Sequence, residues 1–252
     1  ARTMNNLWQF GNAEISYDMD SLNTFAFYGN LSGGKNHHIL DQTITTSFSN
    51  GIDSTSYYDL DSEYNMPTTS VGADYIKKFS GNKEKEFSIR TNAEFGINNT
   101  FLNSVMDNPV ANDRYVINNS EAVNKQYTIQ SDYLLPLAKS QKLEVGLKAI
   151  LRKAESDFIS RIKTTNAEDY QLNASNTDRF RYDQNVLSAY SSYSFKTGKT
   201  TFRLGARLEH TTVDGNFISA KSKVAQSYLN VLPNLQAATE FSNSFTTVMT
   251  YS

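Results

Sequence analysis

Thr201-Phe-Arg-Leu-Gly-Ala-Arg-Leu-Glu209 alternates without a break: Phe202, Leu204, Ala206 and Leu208 fall on one side, Arg203, Gly205, Arg207 and Glu209 on the other. Successive side chains of an extended chain leave opposite faces, so one face of this strand is apolar and the other is charged. The register recurs in Lys142–Arg152, where Leu143, Val145, Leu147, Ala149 and Leu151 oppose Glu144, Gly146, Lys148 and Arg152. It recurs again where Phe87, Ile89, Thr91, Ala93, Phe95 and Ile97 oppose Ser88, Arg90, Asn92 and Glu94. Shorter examples are Ala13, Ile15 and Tyr17, then Tyr127, Ile129, Tyr133 and Leu135, then Leu187, Ala189, Tyr193 and Phe195. No comparable stretch has a helical period.

A soluble sandwich also alternates, because one face of each sheet meets water. Its strands are commonly about 5 to 6 residues long and its turns recur roughly every 8 to 12 residues. The segments here keep register for about 9 to 11 residues, the length of a tilted strand crossing a bilayer. Tight turns are expected at Asp18 to Leu22, Gly81 to Glu84, Ala138 to Gln141, Thr197 to Thr200 and Ser242 to Ser244. Between them lie polar stretches with poor alternation, Gly33 to Tyr64, Asn98 to Asn124, Ser160 to Arg179 and Asn216 to Ala225, which read as long loops. Short turns on one rim and long loops on the other describe an all-β, antiparallel, up-and-down transmembrane barrel of the outer membrane, its short turns periplasmic.

Aromatic residues gather at both interfaces of such barrels. Tyr17 and Phe25, Phe79 and Phe87, Phe195 and Phe202, and Phe241 and Phe245 each flank an expected short turn, and together they read as an aromatic girdle against lipid. A mean hydropathy of −0.52 suits a barrel as well as a soluble protein, since only alternate residues of its spans meet lipid. The net charge of −2 and the lack of a basic cluster argue against a nucleic-acid partner. Cysteine is absent, which excludes disulfides and thiolate metal sites. Ala1 begins no signal peptide, having neither a basic start nor an apolar core, so an export signal is expected to have been removed or to lie outside this chain.

Three stretches resemble the barrel repeats of TonB-dependent-receptor-like outer-membrane proteins of Bacteroidetes: Tyr127-Thr-Ile-Gln-Ser-Asp-Tyr-Leu-Leu-Pro-Leu-Ala-Lys-Ser-Gln-Lys-Leu-Glu-Val-Gly-Leu-Lys148, Phe180-Arg-Tyr-Asp-Gln-Asn-Val-Leu-Ser-Ala-Tyr-Ser-Ser-Tyr-Ser-Phe-Lys-Thr-Gly-Lys199 and Leu204-Gly-Ala-Arg-Leu-Glu209. Tyr228-Leu-Asn-Val-Leu-Pro-Asn-Leu235 resembles the segment that follows them. The likeness holds from Thr68 to the C-terminus. It implies a barrel of about 22 strands plugged by an N-terminal domain, ligand capture on the cell surface, and plug movement driven by an inner-membrane energy-transducing partner, with a surface lipoprotein as a further partner. About ten strands are countable here and neither a plug nor a TonB-contacting segment is recognisable, so residues 1–252 are expected to be part of a barrel, completed by the remaining strands.

No catalytic constellation and no cofactor or metal site is expected. His37 and His38 are adjacent and point apart in an extended chain, which leaves a metal pair without further ligands; they read as loop residues. His210 reads as an interfacial strand-end residue, with no positioned nucleophile beside it. Asp53, Asp59, Asp61 and Glu63 lack the glycine turn of a calcium loop and read as a solvated loop.

The charged faces are where function is expected. A midplane Arg or Lys on a barrel's lipid face costs about 2–4 kcal/mol, so Arg203 and Arg207 belong in the lumen. With Arg90, Glu94, Glu144, Lys148, Arg152 and Glu209 they would line a mixed-charge interior, suited to a polar plug or a polar solute and equally to mutual pairing within the wall. Two functions stay open: energy-coupled import, or a non-transporting surface anchor, adhesin or secretion scaffold. A soluble β-sandwich adhesin is the third reading. Pro233, inside an expected strand from Tyr228 to Phe241, should mark a bulge or a lost hydrogen bond, because proline cannot donate to a ladder.

Overall fold

A computed structural model describes residues 1–47, 53–107, 113–219, 221–242 and 245–251. The alternating segments form β1 (Arg2–Asp18), β2 (Asn23–Ser47), β3 (Asp53–Asn65), β4 (Thr68–Phe79), β5 (Asn82–Asp107), β6 (Arg114–Ala138), β7 (Gln141–Lys163), β8 (Gln171–Leu172), β9 (Asp178–Thr197), β10 (Thr200–Phe217), β11 (Ser222–Ser242) and β12 (Phe245–Tyr251), with one 3-10 turn at Ala174–Asn176. All pair antiparallel in one sheet ordered β1-β2-β3-β5-β6-β7-β9-β10-β11-β12. Apart from β4, which pairs with β2 and β5, and β8, which pairs only with β7, each strand follows its sequence neighbour along the sheet, the up-and-down order of a membrane barrel.

β3 and β4 are one strand interrupted at Met66–Pro67. Lys35 pairs with Asn65 and Ser32 with Thr68, so the register continues across the break. The Ile97 N–H donates to the Pro67 carbonyl at 2.9 Å, but proline has no N–H to return the bond. With β3 and β4 merged and β8 a two-residue graft on β7, the path contains ten strands.

The amphipathy is inverted relative to a sandwich, whose inner faces enclose an apolar core. Val186 is the one buried hydrophobic residue among those described, while Ser62, Ser88, Ser160, Ser188 and Thr211 are also buried. The large apolar side chains stand outward, with Leu147 64 % exposed and Leu187 55 %. Such a sheet is stable only where its apolar face is solvated by hydrocarbon.

Directly opposed residues form rows across the sheet. One row reads Ser16, Ala26, Asp74, Arg90, Gln130, Lys148, Ser188, Glu209, Asn230. On the other face a row reads Ile15, Phe27, Ala73, Thr91, Ile129, Ala149, Leu187, His210, Leu229. Ser16 lies beside the β1–β2 turn, yet Glu209 in the same row lies far up β10 from the β9–β10 turn. That progressive stagger is the tilt a curved wall requires. β1 and β12 pair with each other nowhere among the described residues.

The stretches read as long loops are mostly strand. Gly33 to Tyr64 carries the ladder of β2 with β3, Asn98 to Asn124 that of β5 with β6, and Asn216 to Ala225 is a tight reversal from Phe217 to Ser222. Among the described residues only Ser160 to Arg179 contains a long connection, from Lys163 to Asp178, folded through β8 and the 3-10 turn. The strict alternation of short turns with long loops therefore does not hold. In these outer strand parts apolar and polar side chains fall on both faces and erase the period-2 signal, whereas the ladder uses main-chain groups and continues regardless. For the same reason His37, His38, Asp59, Asp61 and Glu63 lie in paired strands, and His210 lies within β10 on the outward face. Asp53 opens β3.

The turn expected at Gly81 to Glu84 falls earlier, between Phe79 and Asn82, and that at Ser242 to Ser244 lies partly outside the described residues. Gly198 in the β9–β10 turn has a φ of +58°, which glycine adopts without strain. Pro233 sits in regular register opposite Ala206, without a bulge. The Glu240 N–H donates to Lys199, which by alternation turns the even positions of β11 toward β10 and the Pro233 nitrogen away from it. The missing N–H falls on the far side, beyond the last pair with β12, Leu235 and Tyr251.

Candidate functional site

Because strand parity is conserved along every ladder, Arg90, Glu94, Glu144, Lys148, Arg152, Arg203, Arg207 and Glu209 all project from the same face, the one opposite Leu147, Leu187 and Leu208. Arg203 reaches across β9 to Glu144 at 2.6 Å and donates to Ser192. Arg207 donates to Ser188 at 2.8 Å and pairs with Glu209 at 2.9 Å. Arg90 stands 3.9 Å from Asp74, and Arg152 donates to the amide oxygens of Gln126 and Gln184 at 2.6 and 2.9 Å. Glu94 and Lys148 have no hydrogen-bond or ion-pair partner among the described residues.

Sequence reading missed the groups that complete these pairs. The Tyr190 hydroxyl donates to one Asp132 oxygen and the Gln130 amide to the other, at 2.9 Å for Gln130. Gln130 and Asp132 share the parity opposite Ile129, Ser131 and Tyr133, so alternation could have assigned them to this face; their partners on other strands could not be read that way.

Three aromatic rings on this face lie over glycines of the next strand, Trp8 over Gly34, Tyr28 over Gly72 and Tyr190 over Gly146, so that a Cβ at any of the three would run into the ring. Glycine here admits close approach and returns contact to a position that otherwise packs nothing. Between Tyr190, Gln130, Lys148, Arg203, Arg207 and Asn234 lies a recess of about 370 Å³. Within it the Nε of Arg207 is buried without an acceptor among the described residues.

The opposite face carries the apolar belt. Tyr17 and Phe25 are register partners beside the β1–β2 turn, and Phe25 stacks on Tyr75 at 4.8 Å. Phe79 meets Tyr133 edge-on at 6.2 Å, and Phe87 is the register partner of the same tyrosine. Phe195 stacks on Phe202 at 5.3 Å, and Phe241 lies 5.6 Å from Phe245. Phe95 and Tyr127 form a second cluster, at 5.8 Å, well up β5 and β6 from their turns.

At the β1–β2 turn Asp20 accepts the N–H groups of Leu22 and Asn23 at 2.7 and 2.8 Å. Those hydrogen bonds hold its carboxyl below the usual value.

A single antiparallel sheet in up-and-down order, with one apolar face and one charged face, defines the wall of a membrane barrel. The model of the outer membrane protein beta-barrel family matches residues 78–252; the chain belongs to that family and is a protein of the outer membrane. No helix among the described residues is long and apolar enough to cross a membrane. No curated protein matches the chain.

Among solved structures it is similar to FpvA of P. aeruginosa bound to heterologous pyoverdines, with 12 % identity, a TM-score of 0.52, and coverage of 99 % of this chain and 41 % of that one. The FpvAI–pyocin S2 complex matches at 12 % identity and a TM-score of 0.53, covering 99 % of this chain and 42 % of that one. The alcaligin outer-membrane receptor FauA of Bordetella pertussis gives 12 %, 0.43, and 99 and 42 %. The chain thus spans less than half the length of these structures, and at such identity the likeness is one of fold.

Proposed function

We propose that this chain is part of the wall of a plugged, TonB-dependent receptor barrel of the kind found in Bacteroidetes, completed by further strands, which binds an extracellular ligand and imports it. In this reading the barrel performs no catalysis. An inner-membrane partner supplies the energy, and a surface lipoprotein assists capture. The observation that carries it is the polar face, where Arg90 of β5 and Arg203 and Arg207 of β10 are held by carboxylates and hydroxyls of their own and neighbouring strands. A wall that only anchored surface loops would have no need of fixed charges at the depth of the hydrocarbon, whereas a polar plug sliding against the wall would. β5, at 26 residues, far exceeds the roughly 9 to 11 that cross a bilayer, and its outer part supplies a tall rim for ligand capture.

The test uses the protein expressed from its full open reading frame. In planar bilayers it should be closed at rest, and ligand accumulation by cells should cease when the inner-membrane energy transducer is deleted. A permanently open pore, or accumulation indifferent to that deletion, would sink import.

A further inference from the structure

We infer that Lys148 and Arg207 together receive the carboxylate of an Asp or Glu side chain carried by the polypeptide that fills the lumen. The inference rests on the plugged-barrel reading. Lys148 lines the recess and stands between Gln130 of β6 and Ser188 of β9 in its row. The nearest carboxylates of the wall are engaged, Glu144 by Arg203, Glu209 by Arg207, and both oxygens of Asp132 by Tyr190 and Gln130, while Glu94, unpaired among the described residues, stands two strands away on β5, four residues beyond Arg90 of the same row. The ammonium is therefore left with donors and no acceptor among the described residues, and the guanidinium of Arg207, whose Nε is buried without an acceptor, lines the same recess.

Water satisfies the ammonium in an open lumen. A packed polypeptide excludes that water, and a cation buried without a partner is strongly unfavourable, so the filling segment has to bring an acceptor. A carboxylate fits best, because it accepts charge-assisted hydrogen bonds from an ammonium and a guanidinium at once. The recess, about 370 Å³, accommodates one or two side chains.

A zero-length carbodiimide, which joins an amine to a carboxylate in contact with it, tests this on the protein expressed from its full open reading frame in outer membranes. An Asn234→Cys variant reports access to the recess through the reaction of its introduced thiol with a small maleimide. Mass spectrometry should find an amide between Lys148 and an Asp or Glu outside β1 to β12, absent from Lys148→Met, with the introduced thiol shielded. Cross-links confined to Asp132, Glu144 or Glu209 would overturn the inference, since the wall would then pair Lys148 itself. Ready acetylation of Lys148 beside a shielded thiol would overturn it too, while leaving the plug in place. If both the lysine and the thiol react freely, the lumen is open, and the plugged-barrel reading falls together with the inference.

Discussion

Replacing Leu147 by Arg should destabilise the protein far more than replacing Leu151 by Arg, although the two residues sit on the same strand and face. Both project outward, Leu147 at 64 % exposure and Leu151 at 44 %. From the β6–β7 turn at Gln141, Leu147 lies about 20 Å along β7 at roughly 3.4 Å per residue. A strand tilt of about 40° reduces that to about 15 Å of depth, near the middle of an apolar band about 25 Å tall. Leu151 lies about 34 Å along the strand, hence about 26 Å in depth, at the far margin of the band. An arginine at the midplane costs about 2–4 kcal/mol and one at the interface about 0–1. Urea unfolding of the full-length protein refolded into lipid vesicles should therefore separate the variants by about 2 kcal/mol or more. Equal losses, or a loss below about 1 kcal/mol for Leu147→Arg, would refute the assignment of Leu147 to the lipid-facing midplane.

Gly146→Ala should cost about 1–3 kcal/mol by driving a methyl group into the Tyr190 ring, and adding Tyr190→Ala should recover much of that loss; strict additivity in the double variant would contradict the contact. Cysteines at Lys139 and Asn173 should differ on intact cells, with only Asn173→Cys reacting with a membrane-impermeant reagent; the opposite pattern would reverse the topology. Asp20, with its carboxyl held below the ordinary 3.8, stabilises its turn at and above that pH, and the contribution is lost as pH falls through the lower folded value. Asp20→Ala should speed amide exchange at Leu22 and Asn23 near neutral pH, and exchange rates unchanged by the substitution would show that the cap contributes nothing.

Which way each side chain faces was legible in the sequence, because in an extended chain that direction is set by the residue's own backbone and its parity. Phe202 to Glu209 and Leu143 to Arg152 could thus be divided between the two faces of the sheet, and the aromatic pairs beside the turns could be located. The turns at Asp18, Ala138 and Thr197 were legible for an equally local reason, since they interrupt the alternation within a few residues. Where the strands end was not: in their outer parts apolar and polar residues fall on both faces, as with Phe101, Leu102, Val105 and Met106, the alternation disappears, and only the main-chain ladder shows that Asn98 to Asp107 and Arg114 to Asn124 are still paired. Nor could the sequence say which charge meets which. That Arg203 finds Glu144 two strands away, that Tyr190 covers Gly146 and holds Asp132, and that Lys148 is left without an acceptor among the described residues all depend on the register and stagger between strands, which are fixed by non-local pairing and by the tilt of a curved wall.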